Sequence, residues 1–292
     1  MTIKRRLSEG VFDIINYFIL LLLVLITLYP FLYILFASLS DPLKVLQRGS
    51  LLLWPEGFNT GAYKMVFKNP MILTGYKNTI IYVVAGTAIN ILMTSFGAYV
   101  LSRKDLYGRR FFMFMIAFTM FFSGGLIPLY LLINQLNMVN TVWAIIIPSA
   151  ISTWNLIVMR TSFEAIPDSM FESAKIDGGN DFTILFRIIL PLSMPIVAVM
   201  ILFYSVGQWN SRFGAMIYLR ERELYPLQLI LREILITNSV DSMTAGLGGD
   251  IEPIAENIKY ATVMIATVPI LMVYPFLQKY FVKGVMIGAI KE

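Results

Sequence analysis

Six long apolar stretches, none of which contains Asp, Glu, Lys or Arg, constrain the fold of this chain more than any other feature. A membrane-spanning helix needs about 20 predominantly apolar residues. Lipid accepts only structures whose backbone groups are hydrogen-bonded internally, and a helix meets that condition within one segment. We therefore predict an all-α integral membrane protein with six transmembrane helices. The predicted spans lie at about 14–39, 78–102, 111–133, 138–159, 189–211 and 260–278.

Composition narrows the functional classes. The chain of 292 residues is 58% hydrophobic and 14% charged, whereas soluble domains are roughly half apolar and a quarter charged. Cys and His are both absent from the sequence, which excludes disulfides, thiol chemistry and histidine-based catalysis or metal binding. The first apolar stretch is much longer than the core of a signal peptide, about 7–15 residues, so we predict a retained first helix.

The positions of Lys and Arg indicate the orientation. With six spans, their clusters near the N-terminus, between spans two and three, around the fourth connection and at the C-terminus all fall on one side. Cytoplasmic loops are enriched in these residues, so we predict that both termini are cytoplasmic and that residues 1–292 form a single transmembrane domain. The longer connections are two external loops, 40–77 and 212–259, and a cytoplasmic loop, 161–190.

An apolar run at residues 227–235 follows Pro226 in the second external loop. Proline is favoured at the start of a helix, and an amphipathic run of this kind suits a membrane surface. We predict a short helix here. The pattern alone allows either a packing element or a contact for an external partner.

The cytoplasmic loop carries signals for a short helix of its own. Ser169 and Glu172 have the spacing of a capping box, and Gly178 favours the left-handed conformation that ends many helices. These signals predict a helix over about 169–177, and Asn180 or Asp181 can cap a second helix after it. So short a helix is marginal by itself and needs a packing partner.

A small apolar patch supplies the surface for that partner. Met170, Phe171 and Ala174 follow helical spacing, and Ser173 keeps one side slim enough for close approach. Two interpretations are equally compatible with this pattern: the helix packs on the protein's own cytoplasmic helix ends, or it docks another subunit.

Three motifs in the loop resemble a known element. In chain order they are Glu172-Ser173-Ala174, Asp177-Gly178 and Ile188-x-Leu190-Pro191. They look like the EAA loop of bacterial ABC-importer permeases, which usually reads Glu-Ala-Ala, then Gly, then Ile-x-Leu-Pro. The loop departs from that pattern at Ser173 and at Gly179-Asn180, but all of these residues are small and preserve a close helix approach.

The resemblance covers most of the chain and points to the carbohydrate, maltose-permease-like branch, specifically its smaller six-span subunit. The matching motifs are Ala98-Tyr99-x-Leu101-Ser102-Arg103, Ile127-Pro128-Leu129-Tyr130, Ile166-Pro167, Trp209-Asn210 and a tail from Gln278 to Lys291. Only the last residue of the tail departs, because Glu292 stands where Gly is common.

The resemblance implies the type I ABC-importer arrangement in a bacterial cell membrane. The short helix would be the coupling helix between spans four and five, inserted in a cytoplasmic ATPase. Its coupling residues would be Ser169, Met170, Phe171, Glu172, Ser173, Ala174, Asp177 and Gly178. The implied partners are a second, non-identical permease, an ATPase dimer that binds ATP and Mg, and an external, lipid-anchored sugar-binding protein; a nucleic-acid partner is not implied.

The chain itself is expected to be non-catalytic and to bind neither cofactor nor metal. Its sequence contains no Gly-x-x-x-x-Gly-Lys-Ser/Thr phosphate loop, so ATP hydrolysis would take place on the partner. The carboxylates around the cytoplasmic loop are spaced around short helices and do not converge as a membrane transferase would require. Those carboxylates are Glu164, Asp168, Glu172, Asp177 and Asp181.

Neutral polar and aromatic residues in the spans suit a path for a carbohydrate, because amides bond hydroxyls and aromatic faces cover sugar rings. The same residue types also serve membrane interfaces and helix–helix bonds. The predicted path residues are Gln208, Trp209, Asn210, Trp154, Asn155 and Tyr130. The resulting hypothesis is an oligosaccharide importer. An importer for another small polar solute and, more distantly, a membrane-embedded transferase are the alternatives, while the charge-free spans disfavour a secondary carrier.

Overall fold

The computed structural model describes residues 7–49, 51–236 and 251–289, and every regular element among them is helical. This agrees with the predicted all-α fold. The chain divides into two compact units. Unit 1 comprises residues 1–69 and 231–267, and unit 2 comprises residues 70–230 and 268–292.

The helices follow one another along the chain with short connections. The first eight are α1 (Leu7–Ser38), α2 (Pro42–Arg48), α3 (Gly61–Lys68), α4 (Pro70–Ser102), α5 (Arg109–Phe118), α6 (Leu126–Gln135), α7 (Trp143–Ile146) and α8 (Thr153–Glu164). The others described are α9 (Asp168–Ile176), α10 (Asp181–Ile184), α11 (Leu190–Leu192), α12 (Met194–Trp209), α13 (Phe213–Tyr218), α14 (Leu227–Ile236) and α15 (Ile251–Ala289). A π-helical turn, Leu185–Ile189, joins α10 to α11.

In unit 1, polar side chains fix the turn that follows α1. The Asp41 carboxylate accepts from the Leu43 N–H at 3.0 Å and so caps α2. The buried amide of Asn257, near the start of α15, donates to the Ser40 carbonyl oxygen at 2.9 Å. These bonds satisfy backbone groups that helix ends leave unpaired.

Unit 2 is built around α4, which packs along α8 and α12. Its largest buried side chains include Met159, Phe163 and Met200. The hydroxyls of Thr94 and Tyr204 lie 2.6 Å apart between α4 and α12. Close van der Waals packing of these side chains and the contact between the two hydroxyls hold the three helices together.

The close contact between α4 and the start of α14 depends on Gly75. A Cβ atom at that position would lie 2.6 Å from Ile230 Cδ1 and 3.0 Å from Leu227 Cα. The Leu227 N–H donates to Thr79 Oγ1 at 2.8 Å. The helix predicted after Pro226 is thus confirmed, and its first turn is buried against α4.

Among the residues that the structure describes, three helical segments are long and apolar enough to cross a membrane: Glu9–Ser38, Pro70–Ser102 and Ile254–Met272. Two further spans result if bent pairs are counted as one span each. Trp143–Ser149 and Thr153–Glu164 meet at 50°, and Asp181–Leu192 and Met194–Trp209 meet at 88°.

The segment at 111–133 forms two helices, α5 and α6, and not the single helix predicted there. Residues 119–125 separate them, and Gly125 has a φ of 83°. Such a conformation favours glycine and ends regular helix. The predicted segments 138–159 and 189–211 are likewise interrupted, near Pro148 and at Ser193. The number of spans that cross the membrane stays a prediction.

Candidate functional site

The short helix predicted in the loop at 161–190 is α9, which begins one residue earlier than the sequence pattern predicted. Pro167 occupies the capping position, and no side chain accepts a hydrogen bond there. The predicted capping box of Ser169 and Glu172 is therefore wrong. The restricted φ of proline, here −57°, favours this entry into the helix, and the Asp168 carboxylate in the first turn pairs with Lys104 at 2.7 Å.

The end of α9 matches the prediction closely. Gly178 has a φ of 79°. Its N–H donates to the Lys175 carbonyl at 3.0 Å, and the Gly179 N–H donates to the Ala174 carbonyl at 2.8 Å. This bonding pattern is a Schellman motif. Asn180 then caps α10 by accepting from the Thr183 N–H at 2.8 Å, as predicted.

One face of α9 packs on the C-terminal end of α4. Phe171 and Ala174 are buried. The Phe171 ring lies 6.3 Å from the Tyr99 ring, and the Arg103 guanidinium carbon lies 4.1 Å from the centroid of the Phe171 ring. This cation–π contact and the buried ring area hold the helix in place. Packing on the protein's own helix ends is thus observed for two residues of the predicted patch.

The other face of α9 is open to solvent. Met170 has 45% of its surface exposed and does not join the buried pair as the patch prediction required. Ile176, at 86%, is a large exposed apolar residue. Glu172 forms no ion pair within the described part of the chain. The remaining predicted coupling residues on the exposed side are Ser169, Ser173, Asp177 and Gly178.

Ion pairs and hydrogen bonds surround the base of this loop. Glu164 pairs with Arg160 at 2.6 Å and also with Arg109. The Tyr99 hydroxyl donates to Asp181 Oδ1 at 2.8 Å. Burial opposes ionisation of Asp105, but its backbone hydrogen bond and the Arg103 guanidinium outweigh this effect and hold the pKa of Asp105 below its usual value. The carboxylates therefore stabilise the loop.

From the sequence, Tyr99 was only a residue of a family motif, and Arg103 was in addition part of a basic cluster that indicates orientation. In the structure they anchor α9 through Phe171 and α10 through Asp181. Their position at the end of an apolar span, next to a polar loop, was the available signal.

Among the predicted path residues, Gln208 forms side-chain hydrogen bonds to two other parts of unit 2. It is buried, and its Nε2 donates to Asn90 Oδ1 at 3.3 Å and to Ser149 Oγ at 3.2 Å. Gly86 leaves room for this side chain, since a Cβ there would lie 2.9 Å from the amide nitrogen. In this conformation Gln208 hydrogen-bonds between helices. This is the alternative to a path residue that the sequence left open for polar residues in the spans.

The other predicted path residues do not gather at one place around Gln208. Asn155 is buried in α8, whereas Trp154 is 60% exposed. The exposed Asn210 donates to the Val206 carbonyl at 2.9 Å. The Tyr130 ring stacks on Tyr218 with centroids 6.2 Å apart. The Trp209 ring lies 6.3 Å from the Tyr76 ring, and its buried Nε1 has no hydrogen-bond partner among the described residues.

The break between α7 and α8 is braced by residues that lie far from it in sequence. Asn90 Nδ2 donates to the Ser149 carbonyl, and the Ser152 N–H donates to the Tyr204 hydroxyl at 3.1 Å. Backbone groups freed by a break inside a membrane need such partners. Asn90 lies on α4 and Tyr204 lies on α12, so both helices stabilise the break between α7 and α8.

Comparison with known proteins agrees with this architecture. Residues 94–287, more than half of the chain, match the family described as binding-protein-dependent transport system inner membrane component. The polygalacturonan/rhamnogalacturonan transport system permease protein YtcP of Bacillus subtilis is 40% identical over 98% of this chain and 100% of its own. The arabinooligosaccharides transport system permease protein AraQ of Halalkalibacterium halodurans is 25% identical over 91% of this chain and 92% of its own.

A solved structure shares the fold. It is the crystal structure of a bacterial ABC transporter involved in the import of the acidic polysaccharide alginate. One of its chains superposes with a TM-score of 0.87 and 34% sequence identity, covering 96% of this chain and 100% of that one. With the sequence match over 94–287, this assigns the chain to the binding-protein-dependent transport system inner membrane components, as a permease of the carbohydrate ABC-importer branch.

Proposed function

We propose that this chain is the transmembrane subunit of an ATP-driven importer of oligosaccharides and that α9 couples ATPase closure to alternating access. The two-faced burial of α9 is the observation that carries the proposal. Phe171 and Ala174 fix the helix to α4, while Met170, Glu172 and Ile176 remain exposed. Apolar side chains exposed beside a carboxylate, on a helix whose other face is anchored, suit a docking surface.

The coupling follows from these contacts. A partner that binds the exposed face of α9 and then moves would displace Phe171 together with Tyr99 of α4 and Arg103, the residue after α4. Packed elements of this kind respond as rigid bodies, because tightly packed interfaces do not deform continuously. Displacement of α9 would therefore rearrange the bundle and open its path on alternate sides.

The proposed assembly follows the family. Two non-identical permeases would enclose the path, each forming half. A cytoplasmic ATPase dimer would bind ATP and Mg and contact α9, and an external sugar-binding protein would deliver the substrate. In this assembly the chain is a non-catalytic, six-span subunit of the bacterial cytoplasmic membrane, with both termini in the cytoplasm.

The coupling role is tested by changing the exposed face alone. Glu172→Lys and Ser173→Trp should reduce copurification of the ATPase and oligosaccharide uptake together, while the permease still inserts and keeps its thermal stability. Glu221→Lys is the matched control, since Glu221 is an exposed carboxylate outside this loop. Normal copurification and uptake in both loop variants would refute the coupling role of α9.

The substrate is tested by uptake into vesicles that contain the complete transporter. The relatives are named for polygalacturonan, rhamnogalacturonan and arabinooligosaccharides, and the solved structure for alginate. Trigalacturonate and arabinotriose are therefore the first compounds to measure. If neither these nor other oligosaccharides were transported, but a polyamine or a phosphate compound was, the carbohydrate assignment of this chain would be wrong.

A further inference from the structure

Two cations lie at the end of unit 2 away from α9. Lys77 lies on α4 and Arg212 lies just after α12, and both side chains are exposed. Neither forms a salt bridge with any residue that the structure describes. Tyr76 and Tyr99 are separated by 23 positions of α4, which corresponds to about 35 Å at the α-helical rise. The two cations are therefore about a membrane thickness from the coupling helix.

Two aromatic residues that lie close to these cations in the chain contact each other. Tyr76 precedes Lys77 directly, and its ring lies 6.3 Å from Trp209, at an interplanar angle of 61°. Trp209 is three residues before Arg212. The ring contact thus places both cations at the same rim, between the start of α4 and the end of α12. We name Tyr76, Lys77, Trp209 and Arg212 the rim cluster.

The rim cluster also holds an unused hydrogen-bond donor. Trp209 Nε1 is buried and has no partner in the described part of the chain. A buried donor without a partner destabilises the conformation that holds it. Because the indole N–H is covered in this conformation, an acceptor reaches it only when α12 moves relative to α4, as alternating access requires.

The charge at this rim is positive. Asn78, the next residue after Lys77, donates to the carbonyl of Glu223, so the Glu223 carboxylate belongs to the same region. The segment around Glu223 holds two cations, Arg220 and Arg222, and two carboxylates, Glu221 and Glu223, so Lys77 and Arg212 leave an excess of positive charge. A donor-rich, cationic rim with aromatic faces suits a ligand that combines carboxylates with sugar rings.

We propose that the rim cluster selects acidic oligosaccharides by attracting their carboxylates to Lys77 and Arg212 while the rings of Tyr76 and Trp209 contact a sugar face. This proposal rests on the carbohydrate importer function and names its substrate class as oligouronides. In the proposed orientation the rim faces outward, where a delivered substrate first meets the permease. Positive charge at such an entrance raises the rate of capture for anions.

The test uses the complete transporter in proteoliposomes, with saturating binding protein and trigalacturonate as the probe. The double variant Lys77→Gln/Arg212→Gln should lower the initial uptake rate about tenfold, since it removes the charge-assisted hydrogen bonds to the substrate carboxylates. The double variant Lys77→Arg/Arg212→Lys should stay within about twofold of the unmodified protein, because it keeps both charges. Arg220→Gln removes a neighbouring exposed cation and should also have no effect.

Three outcomes would overturn the proposal: undiminished uptake in the glutamine variant, an equal loss in Arg220→Gln, or failure of the charge-conserving variant to restore uptake. Arabinotriose separates this proposal from the proposed function. An unmodified transporter that carries arabinotriose but not trigalacturonate would refute the acidic substrate class and leave the importer function intact. An unmodified transporter that carries no oligosaccharide would refute the importer function itself.

Discussion

The side-chain amide of Asn90 donates a hydrogen bond to the main-chain carbonyl of Ser149, at the break between α7 and α8. Asn90 is fully buried on α4, and its oxygen accepts from Gln208 of α12 at 3.3 Å. A single amide therefore connects three helices at a point where the regular backbone ladder fails. The consequence for stability can be measured directly.

Asn90→Leu should destabilise the protein by about 1–3 kcal/mol, because the Ser149 carbonyl and the Gln208 amide each lose a buried partner. Thermal unfolding of the detergent-purified protein measures this loss. Asn134→Leu is the control, since Asn134 is an exposed residue of α6. Equal unfolding temperatures for the two variants would show that Asn90 does not brace the break.

Gly75→Ala should destabilise unit 2 by about 1–3 kcal/mol through overpacking, because the new methyl group meets Ile230 and the Leu227 backbone. Gly207→Ala is the matched change, as open space surrounds that position within 4 Å. It should be neutral or stabilising by up to about 1 kcal/mol, since alanine favours helix. Denaturant midpoints compare the two, and a shift of the same sign in both would argue against a tight contact at Gly75.

Phe171→Ala should detach α9 from α4, since removal of a buried phenylalanine ring costs about 3–5 kcal/mol. Hydrogen exchange of the backbone amides of α9 should accelerate as a result. Met170→Ala on the exposed face should leave this exchange unchanged and weaken only ATPase binding. Fast exchange in both variants would contradict the division of α9 into an anchoring face and a docking face.

Asp105→Asn should lower stability at neutral pH but not at strongly acidic pH. The folded-state pKa of Asp105 is depressed, so its contribution is complete above the unfolded pKa of about 3.9 and is lost as the pH falls through the folded value. The side chain is largely exposed, and the effect should be below about 1 kcal/mol.

Unfolding temperatures of the unmodified protein and Asp105→Asn at pH 7, 5 and 3 measure this effect, and the difference should shrink toward pH 3. Asp177→Asn, which changes an exposed carboxylate outside any observed ion pair in the described regions, is the control. A difference that grows on acidification would reverse the assigned sign.

Local chemistry made part of this molecule predictable. Gly178 and Asn180 act within a few residues, so the end of α9 and the cap of α10 follow from sequence alone. The start of α9 was misplaced because Pro167 and Ser169 offered competing signals, and the sequence pattern did not weigh the fixed φ of proline.

Long-range contacts set the features that sequence could not provide. Asn90, Ser149 and Gln208 are far apart in the chain, and only packing shows that they bond. For the same reason Gln208 resembled a path residue before its partners were known. The break between α5 and α6 was missed because hydropathy counts apolar residues and is insensitive to the conformation of Gly125.

The continuity of α4 has a mechanical consequence. It runs unbroken from Pro70 to Ser102, while the next three predicted spans are interrupted near Gly125, Ser149 and Ser193. An uninterrupted helix resists bending better than a series of short helices. We therefore expect α4 to move as a rigid body and the interruptions to act as hinges. A displacement of Phe171, which packs on Tyr99 at one end of α4, should then produce a nearly equal displacement of Tyr76 at the other end. In the proposed orientation, a displacement of α9 on the cytoplasmic side would thus be transmitted along α4 to the outward-facing end of the permease.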